Sequence, residues 1–125
     1  MYMILVVSIP GQMIWLNREV IMFNLFNRKN INEYLEDYRN IDNAKLIDVR
    51  DIDEYESGRI PGSINIPLGE IEKIKNIIDD KDTPLYVYCL SGGRSNSATS
   101  LIKSFGYTNV TNIGGINSYK GEIER

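Results

Sequence analysis

Short β-favouring runs separated by helix-patterned stretches constrain this chain more than any other feature. KLIDV (45–49), the SINI within IPGSINIPL (60–68), LYVY (85–88) and NVTNI (109–113) are the β-favouring runs. Ahead of the first, Ile31, Tyr34, Leu35 and Tyr38 recur at helical spacing, with Asn30 and Glu33 where a cap and its reciprocal acid would sit. This predicts a helix of about two turns. DEYESG (53–58) suits a brief helical turn ended by Gly58, and Pro61 and Gly62 mark a turn. Pro67 stands near the start of a helix whose buried face is Ile71, Ile74 and Ile78. Ala98, Leu101, Ile102 and Phe105 mark an amphipathic helix stopped by Gly106, and GGINSYKGEIE (114–124) reads as a turn followed by a short terminal helix. Strands that alternate with helices imply an α/β layer with a largely parallel sheet.

With 125 residues, 42% of them hydrophobic, the chain has material for one core and one compact domain. Its net charge of −3 and the lack of a basic block argue against a nucleic-acid partner. There is no histidine, which removes Ser/His and Cys/His nucleophile pairs and histidine metal sites. No metal and no cofactor is expected. The single cysteine cannot form an internal disulfide and persists most naturally in a reducing compartment, so the expected location is the cytoplasm.

Residues 1–17 carry one charge-free stretch, broken at Pro10, Gly11 and Gln12 and shorter than the ~20 apolar residues of a spanning helix. The basic n-region and small-residue cleavage site of a signal peptide are missing from it. Residues 1–26 therefore read as an N-terminal extension, adventitious or weakly membrane-associated, with Met22 as a candidate biological start and the folded domain at 27–125.

The stretch YVYCLSGGRS (86–95) holds the cysteine, Cys89, directly after an apolar run. In a parallel α/β sheet, ligands gather beyond the carboxyl ends of the strands, so Cys89 is placed on that working edge. The helix after it is expected to begin near Ser95, with its unpaired amides and positive end turned back on the loop. Gly92 and Gly93 permit positive φ angles and an inward-facing nest of N–H groups, and Arg94 adds a permanent cation. All of these favour thiolate over thiol, which gives a nucleophile that needs no imidazole base. The competing structural reading is a buried cysteine beside a Gly-Gly turn.

At these residues the chain resembles a known family. CLSGGRS is similar to the active-site loop of the rhodanese homology domain, LIDVRDIDEYESGRIPGSINIPL to its first signature, and GYTNVTNIGGINSYKGEI to its closing one. The resemblance implies a rhodanese-like α/β fold with a central, mostly parallel, five-stranded sheet flanked by helices. It also implies a sulfurtransferase of the thiosulfate sulfurtransferase class, in which Cys89 accepts a sulfane sulfur as a persulfide within a cradle of Leu90, Ser91, Gly92, Gly93, Arg94 and Ser95. The partners would be a sulfane-sulfur donor and a thiol or cyanide acceptor, proteins among them. A second cysteine nearby would convert the persulfide to a disulfide, so a solitary thiol protects the intermediate.

Two positions depart from the family pattern: Arg59 stands where a histidine is common, and Tyr119 where a tryptophan is common. Tyr119 keeps an aromatic ring. Arg59 is either a second cation near the mouth of the site or a solvated side chain. Asp48 and Arg50 are either an ion pair bracing the loop or ordinary strand-end charges. Two other functions compete. A cysteine-dependent phosphatase or arsenate reductase also holds a thiolate in an anion loop, but tyrosine-directed phosphatases have five residues between cysteine and arginine where this chain has four. Rhodanese-like modules also occur as non-catalytic binding domains, a reading that usually accompanies loss of the cysteine. Because the loop is uncharged apart from Arg94, thiosulfate is expected to be a poor donor and a protein or low-molecular-weight persulfide a better one.

Overall fold

The computed structural model describes residues 4–9, 12–17 and 29–125. The first two segments are β1 (Ile4–Ile9) and β2 (Gln12–Asn17), which pair antiparallel with Ile4 opposite Asn17 and Ile9 opposite Gln12. The sequence reading assigned no strand there. The proposed boundary at residues 26 and 27 and the candidate start at Met22 lie outside the described residues.

Helix α1 (Ile31–Arg39) begins as its cap predicts: the Asn30 side chain accepts from the N–H groups of Asn32 and Glu33 at 3.0 and 3.1 Å. There follow β3 (Lys45–Asp48), the single-and-a-half-turn α2 (Ile52–Ser57) and β4 (Ser63–Asn65). A 3-10 helix at Leu68–Lys73 runs into α3 (Ile74–Ile77), and then come β5 (Leu85–Cys89), α4 (Gly93–Ser104) and β6 (Val110–Gly115).

The sheet is parallel in the order β4-β3-β5-β6. It therefore has four strands among the described residues, not five; β1 and β2 pair with each other in a separate sheet. The expected terminal helix is also missing. After β6 a 3-10 turn at Ile116–Ser118 ends the regular structure, and beyond it residues 120–125 are exposed, so a helix there would have no buried face. Glu124 instead makes one antiparallel bridge with Arg59.

Alternation along the strands builds two cores, one on each face of the sheet. Leu46 and Tyr88 pack with Ile31 and Leu35 of α1, whereas Ile47, Val87 and Cys89 pack with Ile74 of α3 and Ala98 and Ile102 of α4. β5 is buried on both sides, which is why LYVY reads as a continuous apolar run. In α4 the buried positions are Ser95, Ala98, Thr99 and Ile102, so the helix is amphipathic as expected, with Ala98 and Ile102 inside, Phe105 packed against the core and only Leu101 of the four marked residues exposed. The same parity fixes the direction of the cysteine. Counting by two from Val87, Cys89 must face α4.

Candidate active site

Cys89 closes β5, and four residues later the chain is already helical. The reversal turns on Gly92, the N-cap of α4, whose φ of +112° lies in the left-handed region. Gly93 does not share that requirement: its φ is not positive, and a Cβ built there meets nothing within 4 Å. The expectation that both glycines supply positive φ thus holds for Gly92 alone. The helix also starts two residues earlier than Ser95.

The turn brings donors onto the sulfur. The Gly92 N–H donates to Cys89 Sγ at 3.0 Å, and the neutral thiol donates to Ser95 Oγ at 3.4 Å, a hydroxyl that donates back to the sulfur once it is a thiolate. Ser95 Oγ is 2.7 Å from Asn112 Oδ1 and 3.0 Å from the Gly92 carbonyl, and Asn112 Oδ1 also accepts the Gly114 N–H at 3.1 Å. Burial pushes the Cys89 thiol up, but hydrogen bonds from the Ser95 side chain and from the backbone of Ser95, Gly92 and Ser91 outweigh it, and the thiol is held below its ordinary value. The arrangement favours a thiolate at the amino end of a twelve-residue helix.

β6 clamps the loop from the other side. The Asn117 N–H donates to the Leu90 carbonyl at 3.1 Å, and a Cβ on Gly115 would stand 2.2 Å from that carbonyl oxygen. Only a glycine lets strand and loop approach so closely. Leu90, Ser91 and Gly93 are exposed on the outer surface of the loop, and Ser95 is buried. Cys89 itself is 1% exposed, so the thiol is seated beneath the loop and not at an open mouth.

Arg94 does not reach for the sulfur. Its Nη1 and Nη2 donate to Oε1 and Oε2 of Glu54 on α2 at 2.6 and 3.0 Å. The Glu54 hydrogen bond is the largest influence holding the guanidinium protonated, with Glu54, Cys89 and Asp51 adding favourable charge. The expected free cation of the loop is a neutralised one. Asp48 and Arg50 form a buried ion pair, 0% and 4% exposed, so they are not ordinary strand-end charges, and their further hydrogen bonds go to Gly58 and Asn65 and not to the 89–95 loop. Arg59 is tied away: its Nε donates to Glu124 at 3.3 Å and its guanidinium stands 4.8 Å from the centre of the Tyr55 ring. Tyr119 packs against the α1-side core and its hydroxyl donates to the Glu122 carbonyl.

Sequence reasoning missed Glu54, Asn112 and Gly115. Glu54 lies forty residues from Arg94, and no local pattern joins them. Asn112 sits in a strand-like run where an amide reads as ordinary edge polarity. Gly115 had a signal, a glycine pair at the end of a β-favouring run, which marks close backbone approach.

The chain is similar to known proteins. The rhodanese-like domain family matches residues 32–122. The putative sulfur carrier protein YrkF of Bacillus subtilis is 39% identical over 84 residues, covering 66% of this chain, which spans 45% of YrkF's own length. The thiosulfate sulfurtransferase PspE of Escherichia coli is 41% identical over 71 residues, 56% of this chain and 68% of PspE. Among solved structures, a rhodanese with anions from E. coli superposes with a TM-score of 0.62 at 35% identity, over 66% of this chain and 98% of that one. Relatives named for sulfur transfer and sulfur carriage support rhodanese-type sulfur transfer as the chemistry of the family. No helix among the described residues is long and apolar enough to cross a membrane. With its parallel sheet, its thiol between β5 and α4 and its match over residues 32–122, the chain belongs to the rhodanese-like domain family.

Proposed function

We propose that the domain, taken as residues 27–125, is a sulfurtransferase in which Cys89 is the nucleophile and Leu90, Ser91, Gly92, Gly93, Arg94 and Ser95 form the substrate-binding loop. The Cys89 thiolate attacks the outer sulfur of a sulfane donor. A new S–S bond forms, the donor's own S–S bond breaks, and its electron pair leaves with sulfite or a thiolate. An acceptor thiolate or cyanide then attacks the outer sulfur of the Cys89 persulfide and returns the thiolate. The observation that carries this reading is the Gly92 N–H on Sγ at 3.0 Å beside the amino end of α4, a donor set that favours an anion on sulfur and on the persulfide formed there. Donor and acceptor are read as persulfides and thiols of low charge, protein-borne ones included, with thiosulfate a poor substitute.

One observation favours a second reading, a non-catalytic binding module: the 1% exposure of Cys89. Intact-mass measurement after incubation with a panel of thiosulfate, an aryl thiosulfonate and an alkyl persulfide decides between them. The sulfurtransferase reading expects a gain of one sulfur atom, located on the Cys89 peptide and lost on adding cyanide. No gain with any donor leaves the binding module. Turnover of an aryl phosphate that disappears in Cys89→Ser, without sulfur loading, would indicate a phosphatase instead.

A further inference from the structure

Among the described residues the loop contains one cation, Arg94, and that cation is engaged. Arg94 offers the end-on fork of its guanidinium to both oxygens of Glu54, and the two side chains are 33% and 30% exposed. The pairing is held from both ends. Glu54 Oε1 also accepts the Asp51 N–H at 3.3 Å, which fixes the carboxylate on the first turn of α2, while Arg94 sits on the first turn of α4. A bidentate arginine-carboxylate pair is geometrically specific as well as charge-neutral. Its surroundings are acidic: Asp51, Asp53 and Glu56 on the same segment are exposed. The thiolate of Cys89 is itself felt at Arg94. An approaching anion therefore meets a cation already cancelled, with acids beside it.

We infer that Glu54 sets the charge preference of the Cys89 site, cancelling Arg94 so that sulfane donors of low negative charge are selected against dianions. This rests on the sulfurtransferase reading of Cys89 and goes beyond it by naming the residue that determines donor class. Glu54 touches no reacting atom and acts through Arg94.

The test compares two donors with the same chemistry and different charge. Thiosulfate, a dianion, gives its outer sulfur to the thiolate and leaves as sulfite; an aryl thiosulfonate, a monoanion, gives the same sulfur and leaves as the aryl sulfinate. Glu54→Gln removes one negative charge and releases Arg94. Electrostatic energy scales with donor charge, so kcat/KM for thiosulfate should rise about tenfold and for the thiosulfonate about threefold at low ionic strength, mostly in KM. Both gains should shrink as salt is added. Glu54→Asp, which keeps the charge, should keep the wild-type ratio of the two donors, and adding Arg94→Gln to Glu54→Gln should abolish the gain.

An unchanged donor ratio in a folded Glu54→Gln protein overturns the inference while leaving the sulfurtransferase reading intact, provided the wild type loads sulfur from the thiosulfonate. Failure of the wild type to load from thiosulfate, the thiosulfonate or an alkyl persulfide strikes the sulfurtransferase reading itself, whereas loading from the persulfide alone overturns the inference, since the monoanionic donor is then no better than the dianion. If Glu54→Gln does not fold, the wild type still decides. A rim without net attraction predicts that kcat/KM for thiosulfate stays flat or rises with ionic strength, and a steep fall with salt overturns the inference.

Discussion

The carboxyl ends of β3 and β5 lie side by side, with Asp48 opposite Tyr88, yet they are finished in opposite ways. At β3 the buried charges are closed by partners. Asp48 accepts from the Arg50 backbone N–H, Nε and Nη2, Arg50 Nη2 also donates to the Gly58 carbonyl at 2.8 Å, and Asn65 Nδ2 covers the carbonyls of Asp48 and Arg50. At β5 the donors converge on a sulfur that has no charged partner among the described residues, because the loop's own arginine is spent on Glu54. The sealed end fixes the geometry of the sheet edge. The other end leaves an anion-favouring position facing α4, covered by the loop.

Breaking the sealed end should have the largest effect. Arg50→Ala leaves Asp48 buried without its counter-ion, and uncompensated buried charges cost about 3–5 kcal/mol. A urea melt should show that loss of stability, and a loss below ~1 kcal/mol, the value of an exposed pair, would mean the pair is solvated. Gly115→Ala attacks the clamp that joins the two ends of β5 and β6. Its Cβ collides with the Leu90 carbonyl oxygen and the Ser91 Cα, at 2.2 and 2.5 Å, so the loop must move. We expect about 1–3 kcal/mol of destabilisation and a larger loss in sulfur loading, since the loop is what holds donors on Sγ. Loading at the wild-type rate would show that the clamp is unimportant to the site.

The two loop glycines sharpen the comparison further. Gly92→Ala places a side chain at φ +112° and should cost about 1–2 kcal/mol while disturbing the N–H that meets Sγ. Gly93→Ala enters open space at the first position of α4 and should be neutral or stabilising by about 0.4–1 kcal/mol. Equal behaviour of the two variants in thermal melts and sulfur loading would contradict the assigned backbone.

How much of this was legible in the sequence follows the range of the interactions involved. Between residues 31 and 113 the order of strands and helices, the cap at Asn30 and the placement of Cys89 at a strand end are local patterns, and they were readable, whereas β1, β2 and the absence of a terminal helix were not. Gly93 was misread because a glycine pair does not say which member carries the positive φ. Leu101 was misread because helical spacing alone does not fix which face meets the sheet. The partner of Arg94 lies on another element, forty residues away, and only the fold brings Glu54 to it. The burial of Cys89 is of the same kind: it depends on β6 closing over the loop, which no stretch around residue 89 encodes.

The smallest expected effect probes the sulfur most directly. Ser95 Oγ stands between Cys89 Sγ and Asn112 Oδ1, and its hydrogen bond is the largest of the influences that pull the thiol down against burial. In Ser95→Ala burial gains weight, so the midpoint of Cys89 alkylation against pH should move up from a wild-type value below the ordinary ~8.5. A thiol whose folded pKa lies below its unfolded value contributes stability that is present above the unfolded pKa and is lost as pH falls through the folded one. The stability gap between wild type and Ser95→Ala should therefore be wider above the ordinary cysteine range than below the wild-type midpoint, where the sulfur is a neutral thiol and the loss is about 1 kcal/mol for the hydroxyl's hydrogen bond to Asn112. An alkylation midpoint that does not move, or a gap that narrows as pH rises, would mean that Ser95 orders the loop without touching the charge on sulfur.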